Sequence, residues 1–193
     1  MKRIIISETV KYLDKEVKIS GWAARVRDHG GLIFIDVRDW SGKIQVIVDK
    51  NTPDIFKEAE KIGLEYVVEF EGIVKKRDGS LVNTGLETGN IELVAKSLKI
   101  LNKSKTLPFP LDGDGHDIDE KVRLKYRYLD IRRQRVRDLI DLRHKLMLFT
   151  RNWFSDNGFV EIQTPLLTVS SPEGARDFLV PSRIHKGKFY ALP

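Results

Sequence analysis

The chain has 193 residues, of which 41% are hydrophobic and 32% are charged, and its formal net charge is +6. These values are typical of a folded globular protein with one good core, or with a small domain plus part of another. The absence of cysteine excludes disulfides and cysteine-ligated zinc, and the four histidines are scattered without metal-ligand spacing. No apolar stretch is long enough for a signal peptide or a membrane span, so we expect a cytoplasmic protein.

The N-terminal half reads as a lead-in over residues 1–14, with a helical turn at Glu8–Tyr12, followed by alternating apolar runs separated by glycine turns. The predicted strands are Glu16–Val26, Leu32–Arg38, Lys43–Val48, Tyr66–Lys76 and Ile91–Ile100. Thr52-Pro53 opens a helix that ends near Ile62. This order of elements predicts an OB-fold, a small five-stranded barrel that binds oligonucleotides across its second and third strands.

One face of the predicted barrel carries an aromatic side chain among cationic ones. Alternation in the second strand turns Ile33, Ile35 and Val37 toward the core and leaves Phe34 outside. The side chains predicted to accompany Phe34 on the outside are Arg25, Arg27, Arg38 and Gln45. Such a surface could stack a base and neutralise phosphates. In the alternative interpretation Phe34 covers a second small core and the arginines are ordinary surface charge.

In the first strand, Val17, Ile19 and Trp22 are expected to be available for the core. After the barrel, Leu107–Pro110 and Asp112–Asp117 break all periodicity, which predicts a linker. The acidic segment lacks the glycine and glutamate that a calcium loop needs, so we predict no metal site there.

The C-terminal part is predicted to contain two helices and several short strands. The helices are Asp119–Asp130 and Arg133–Asn157, the second with Leu139, Leu142, Leu146, Phe149 and Trp153 on one stripe. Gly158 ends the long helix, a strand begins at Phe159, and further strands are expected around Phe178–Val180 and Phe189–Leu192. Because the chain stops at Pro193 inside a predicted sheet, we expect a piece of a longer protein.

Positive charge is concentrated between Lys121 and Arg151. This segment contains eleven Lys/Arg and three Asp/Glu, a net charge of +8. This surplus could contact an RNA backbone, but a solvated helix face explains it equally simply and is the favoured interpretation.

Three blocks of sequence resemble the N-terminal part of a bacterial-type aspartyl-tRNA synthetase, a class II aminoacyl-tRNA synthetase. The blocks are GWAARVRDHGGLIFIDVRD, VRLKYRYLDIRR and GFVEIQTPLLTVSSPEGARDFLVPSRIHKGKFYALP. The resemblance implies a mostly β plus α chain. An OB-fold anticodon-binding domain over 1–106 and a hinge over 107–120 would precede the start of a class II α+β catalytic domain over 121–193.

The resemblance also implies site residues and partners. Arg25, Arg27, Phe34 and Gln45 match positions that bind the tRNA(Asp) anticodon, and His29 with Gly79 resembles members that charge both tRNA(Asp) and tRNA(Asn). Pro165 matches the motif 1 proline at the dimer interface, and Glu173, in the SPEGARD loop, would face the ammonium group of aspartate.

In the full-length parent, the resemblance implies ATP and Mg²⁺ as cofactors, and homodimerisation. The 193 residues are expected to be inactive alone because motifs 2 and 3, with the ATP-clamping arginine, do not occur in them. Two alternatives remain open at this stage: a stand-alone OB-fold RNA-binding module without catalysis, and an asparaginyl or lysyl class II synthetase.

Overall fold

The computed structural model describes residues 2–170 and 176–192. The chain divides into two compact units, Met1–Pro110 and Leu111–Pro193, which are described separately below. Within the described ranges, no helix combines the length and the apolar character needed to cross a membrane.

The first unit is a closed five-stranded barrel with strand order β1-β2-β3-β5-β4. Its strands are β1 Glu16–Asp28, β2 Leu32–Arg38, β3 Lys43–Asp49, β4 Val67–Lys76 and β5 Ile91–Asn102. Helix α1, Pro53–Ala59, connects β3 to β4, and a 3-10 helix, Ile6–Tyr12, precedes β1. β3 and β5 pair in parallel, whereas the other strand pairs of the barrel are antiparallel. The OB-fold prediction is confirmed.

The barrel core is formed by the inward parity of each strand. Ile33, Ile35 and Val37 are 1%, 0% and 0% exposed, as the alternation of β2 predicts. Trp22 is an exception to the prediction, because it is only half-buried and does not pack against the core cluster. It lies on the opposite parity to Val17 and Ile19, which are buried, and so faces outward.

A β-bulge in β1 reverses the alternation of that strand, so that odd-numbered residues point to the core before the bulge and outward after it. Ala23 pairs with Val37 but Arg25 pairs with Asp36, so one extra residue is accommodated between them. Ala23 is buried whereas Arg25 is exposed, although the two residues share one parity in the sequence. The bulge therefore delivers the basic end of β1 to the outer face of the barrel.

The turn between β2 and β3 fastens the N-terminal segment to one end of the barrel. The Asp39 carboxylate accepts hydrogen bonds from the backbone N–H groups of Ile6 at 2.9 Å, Ser41 at 2.7 Å and Gly42 at 3.1 Å. Ile6 is fully buried in the core cluster. One carboxylate thus both shapes the hairpin turn and holds the segment that closes the barrel end.

The second unit begins with helices. They are α2 Glu120–Lys125, α3 Arg127–Asp130 and α4 Gln134–Asp156. The Asp119 side chain caps α2 by accepting from the N–H groups of Lys121 and Val122. The single helix predicted over Asp119–Asp130 is wrong, because Tyr126, at φ −109° and ψ 42°, interrupts it. The long helix predicted from Arg133 is present as α4, but its apolar stripe is exposed, with Leu142 at 62% and Phe149 at 67%.

The end of the second unit is a two-stranded hairpin of β6, Phe178–Pro181, and β7, Phe189–Leu192, as predicted. Thr168 bridges to Ala191 of β7 through two backbone hydrogen bonds, of 3.0 and 2.9 Å. The strand predicted at Phe159 is wrong. Residues 159–163 carry no secondary structure and pair with no strand within 2–170 or 176–192, whereas a strand requires a hydrogen-bonded partner.

Candidate nucleic-acid interface

A row of outward residues crosses four strands of the barrel in register. Arg27 of β1 lies opposite Phe34 of β2, Phe34 lies opposite Ile47 of β3, and Ile47 lies opposite Val94 of β5. Phe34 and Ile47 are half-buried, and Val94 is 39% exposed. We call Phe34, Ile47 and Val94 the apolar row; Arg27 stands at its β1 end.

A second row, two residues away along each strand, is polar. Arg25 lies opposite Asp36, and Asp36 lies opposite Gln45. Because Val46 pairs with Leu93 in parallel, the residue beside Gln45 on β5 is Glu92. We call Arg25, Asp36, Gln45 and Glu92 the polar row. The two rows together place a stacking floor next to a line of hydrogen-bonding groups.

The Phe34 ring is contacted at its side by a residue of the β1–β2 turn and is not covered by it. The His29 ring meets it edge-on, with centroids 5.4 Å apart and planes at 90°. His29 itself is exposed at the β1–β2 turn, where its N–H donates to the Leu32 carbonyl at 3.0 Å and Gly30 adopts φ 74°. An edge contact of this kind limits motion of the ring without covering its face.

Arg27 connects the two rows through a hydrogen-bonded network. Its Nη2 donates to Asp36 Oδ1 at 3.1 Å and reaches Gln45 Oε1 at 3.5 Å. Since the Gln45 carbonyl oxygen faces Arg27, its Nε2 with two N–H donors is turned away from the guanidinium. Arg27 therefore has a positioning role in addition to its charge, whereas Arg25 is simply exposed.

Arg38 does not belong to this surface, so the prediction that it accompanies Phe34 is wrong. Its Nη2 donates to both carboxylate oxygens of Glu65, at 2.9 and 2.8 Å. The two side chains are only 13% and 5% exposed, and Glu65 adopts a left-handed φ of 61°. The guanidinium is thus committed to a largely buried pair that ties β2 to the segment before β4.

Sequence reasoning missed Glu92 as a member of the polar row. Partial burial raises the pKa of its carboxyl, an effect that the nearby Arg77 guanidinium opposes from 3.7 Å. Arg77 is itself anchored, because its Nε donates to the Ile91 carbonyl at 2.9 Å. Only the parallel pairing of β3 with β5 brings Glu92 beside Gln45, and a register of this kind between distant strands leaves no local signal in the sequence.

The two residues linked by resemblance to tRNA selectivity lie in different connections. Gly79 begins a short 3-10 helix, Gly79–Leu81, between β4 and β5, and a Cβ placed there would meet no atom within 4 Å. His29 lies at the β1–β2 turn, where its ring contacts that of Phe34.

In the second unit Pro165 is exposed and lies outside any helix or strand. Glu173 lies outside the described residues. No group of three or more His, Asp or Glu side chains within 2–170 and 176–192 is arranged to hold a metal ion.

Comparison with known proteins agrees with this division of the chain. Residues 17–101 match the family of OB-fold nucleic acid binding domains, and residues 119–193 match the tRNA synthetases class II (D, K and N). The chain therefore joins a match to the OB-fold nucleic acid binding domains with a match to the class II tRNA synthetases of this group.

Within the group, its curated relatives are aspartate–tRNA(Asp/Asn) ligases. It is 50% identical over 182 residues to the protein of Aquifex aeolicus and 52% identical over 179 residues to that of Moorella thermoacetica. These alignments cover 94% and 93% of this chain but 30% of each relative, so the chain spans about a third of their length. The resemblance to aspartyl-tRNA synthetases is confirmed.

Solved structures share the fold. The asparaginyl-tRNA synthetase from Pyrococcus horikoshii, complexed with asparaginyl-adenylate, is 26% identical with a TM-score of 0.83, covering 100% of this chain and 42% of that one. An aspartyl-tRNA synthetase from Leishmania major, at 24% identity and a TM-score of 0.84, covers 99% of this chain and 38% of that one.

Proposed function

We propose that this chain is the anticodon-binding part of an aspartate–tRNA ligase, and that the outer face of the barrel binds the anticodon loop of tRNA(Asp). The observation that carries the proposal is the register Arg27–Phe34–Ile47 across β1, β2 and β3. This register sets the half-buried Phe34 ring beside the Arg27 guanidinium and next to the hydrogen-bonding groups of the polar row. Base stacking, phosphate attraction and base-edge recognition need these three kinds of group in one place.

Each side chain of this surface has a distinct task in the proposal. Phe34 stacks on an unpaired base, and the Nε2 donors of Gln45 bond a base acceptor while Arg27 holds the amide orientation. Arg25 is exposed at the end of β1 and attracts the phosphate backbone. Glu92 accepts hydrogen bonds from base N–H groups when it is ionised.

The full-length protein is proposed to join aspartate to ATP and to pass the aspartyl group to the tRNA 3′ end. The names of the curated relatives and the match to class II synthetases over 119–193 support this proposal. ATP and Mg²⁺ would serve the parent, and no described residue is assigned to the metal. We propose a cytoplasmic location for this activity, because charged tRNA is consumed in translation.

Two residues of the second unit have proposed roles by matched position alone. Pro165 would lie at a homodimer interface, and the Glu173 carboxylate would hold the ammonium group of aspartate. Fixing that group orients the substrate carboxylate for attack on ATP.

Acceptance of tRNA(Asn) as a second substrate is also proposed. The support is the printed specificity of the relatives for tRNA(Asp/Asn) and the presence of His29 at the turn that touches the Phe34 ring. Any change at His29 alters the support of the stacking residue, so it can influence which base is accepted.

The test is the affinity of the chain for a fluorescent tRNA(Asp) anticodon stem-loop, measured by anisotropy at constant salt. Phe34→Ala should weaken binding by roughly 1–3 kcal/mol, the range for loss of one base-aromatic stack. The matched control is Tyr128→Ala, since Tyr128 is an exposed aromatic residue of the second unit at 61% exposure. An unchanged dissociation constant for Phe34→Ala, or equal affinity for a loop of scrambled sequence, would refute the proposal.

A further inference from the structure

We infer that residues 112–118 form a strap that covers an arginine cluster of the second unit, and that this cover confines RNA binding to the barrel. The arginine cluster consists of Arg123, Arg133 and Arg135. The inference rests on the proposed function, because it concerns how the chain selects the anticodon loop over other RNA. It gives a role in specificity to a segment whose sequence predicts only a linker.

The strap and the arginine cluster belong to neighbouring segments of opposite charge. Residues 111–120 contain five Asp/Glu and no Lys/Arg, a net charge of −5, whereas residues 121–137 contain eight Lys/Arg and one Asp/Glu, a net charge of +7. A basic segment of this size attracts the phosphates of any RNA regardless of its sequence. Unless the arginines are covered, they therefore compete with the barrel for RNA.

Guanidinium groups fasten the strap by donating to its backbone carbonyls. The three hydrogen bonds run from Arg133 Nη1 to the carbonyl of Asp112 at 2.7 Å, from Arg135 Nε to that of Asp114 at 3.0 Å and from Arg123 Nε to that of Ile118 at 3.2 Å. They hold the strap at its first, third and last residues. Arg133 is buried and the other two arginines are half-buried, so only part of the cluster is accessible to a ligand.

Because the arginines bind carbonyl oxygens, the acidic side chains of the strap stay exposed. They are those of Asp112, Asp114 and Asp117. The pKa of the Asp114 carboxyl is lowered, chiefly by the hydrogen bond that it accepts from the His116 N–H at 2.9 Å and further by nearby positive charges that include Arg135. The strap therefore presents ionised carboxylates on the side from which a ligand of the arginines would approach.

A phosphate that approaches the arginine cluster meets two obstacles. It must displace a carbonyl oxygen from each guanidinium that it contacts, so a new hydrogen bond forms only where an existing one is lost. It must also come within the Debye length of the exposed carboxylates, about 10 Å at 0.1 M salt. Both obstacles oppose any polyanion whatever its sequence, whereas an unattached linker would leave the arginines accessible.

The experiment neutralises two exposed carboxylates of the strap in the double variant Asp112→Asn/Asp117→Asn, which keeps the backbone carbonyls that fasten it. The probe is fluorescent oligouridylate, an RNA without the anticodon sequence. The variant should bind it about threefold to fivefold more tightly than wild type at about 50 mM salt, because two repelling charges are lost. The gain should vanish at about 0.5 M salt, where screening is strong. The ratio of stem-loop affinity to oligouridylate affinity should fall accordingly.

Two control variants separate the strap from charge in general. Asp112→Glu/Asp117→Glu keeps the charge of the strap and should bind oligouridylate as wild type does. Asp54→Asn/Glu60→Gln changes the net charge by the same amount at two exposed residues of the first unit and should show no comparable gain.

A ¹H–¹⁵N NMR titration with oligouridylate locates the added binding. The backbone amides of residues 132–137 should shift in Asp112→Asn/Asp117→Asn but not in wild type. The strap does not shield the arginine cluster if these amides shift equally in both, if the double variant gains no affinity, or if Asp54→Asn/Glu60→Gln gains as much. Phe34→Ala tests the proposed function separately, because an unchanged affinity of that variant for the anticodon stem-loop would refute the proposed function whatever the strap does.

Discussion

The buried guanidinium of Arg133 should hold the acidic segment after Pro110 in place, and its loss should release that segment. Arg133 is 1% exposed; its Nε donates to Asp130 Oδ1 at 3.1 Å and its Nη1 to the Asp112 carbonyl at 2.7 Å. A Cβ on Gly115, at φ 77°, would lie 2.7 Å from Arg133 Nε, so the loop is wrapped closely around the side chain.

The cost of Arg133→Met follows from these contacts. Removing one partner of a buried ion pair costs roughly 3–5 kcal/mol, because the remaining charge stays buried. Asp130 keeps a second partner, since Arg127 Nη1 lies 3.1 Å from its Oδ2, which reduces the penalty. The loop carbonyls also lose a charge-assisted donor. We therefore expect the low end of the range, about 3 kcal/mol for opening of the loop.

Hydrogen exchange measured by mass spectrometry reports this opening directly. The amide of Ile118, which donates to the Gly115 carbonyl at 3.3 Å, should exchange about a hundredfold faster in Arg133→Met. Arg143→Met is the control, because Arg143 is exposed on α4 and carries the same charge. If exchange at Ile118 is the same in Arg133→Met as in wild type, the order of this segment does not depend on the buried guanidinium.

Three further results are expected from the barrel. Asp39→Ala should lower the free energy of unfolding by about 2–3 kcal/mol in urea titrations, because backbone N–H groups lose their acceptor; an unchanged midpoint would contradict this. In an NMR titration the pKa of Glu92 should lie above the ordinary range and rise further in Arg77→Met, which removes an opposing charge; a fall would contradict the assignment. Since this pKa is raised in the folded state, the stability from Glu92 is present at low pH and lost as pH rises through it. Arg25→Ala should reduce the salt dependence of RNA binding by about one charge, and Arg27→Ala should also lower affinity at high salt by loosening the amide network; an identical profile for both would remove the positioning role of Arg27.

The barrel was predictable from sequence because β2, β3 and β4 alternate strictly between buried and less buried residues. The inward parity of β2 contains only Ile33, Ile35 and Val37, so the outward position of Phe34 follows without further information. The outward position of Arg25 does not follow from parity, since Ala23 is buried and shares it. Arg25 was predicted on the outer face beside Phe34, but the bulge gives the physical reason why it lies there.

Residues joined by long-range pairing were the ones that sequence reasoning missed. Glu92 and Val94 enter the surface through the parallel contact of β5 with β3, which lies more than forty residues earlier in the chain. Arg38 was misplaced for the same reason, because its partner Glu65 belongs to a separate loop. Alternation assigns a face to each residue, but it does not say which distant strand or charge lies beside it.

The second unit was harder to predict because many of its large apolar residues are exposed in the described chain. Phe159 and Val160 are 62% and 81% exposed, and the segment containing them pairs with no strand among the described residues. Their apolar and β-branched character predicts a strand, but a strand also requires a hydrogen-bonded partner. The helix breaks at Tyr126 because its backbone leaves the helical conformation, and the spacing of apolar residues does not reveal such a change.

The most direct test of the central claim is the location of bound RNA on the barrel, read from backbone amide shifts in a ¹H–¹⁵N NMR titration with the anticodon stem-loop. Binding should shift the amides of Arg27, Phe34 and Gln45, on the outer face of β1, β2 and β3. Shifts confined to the β1–β4 face around Lys18 and Glu69, with the amide of Phe34 unmoved, would contradict it.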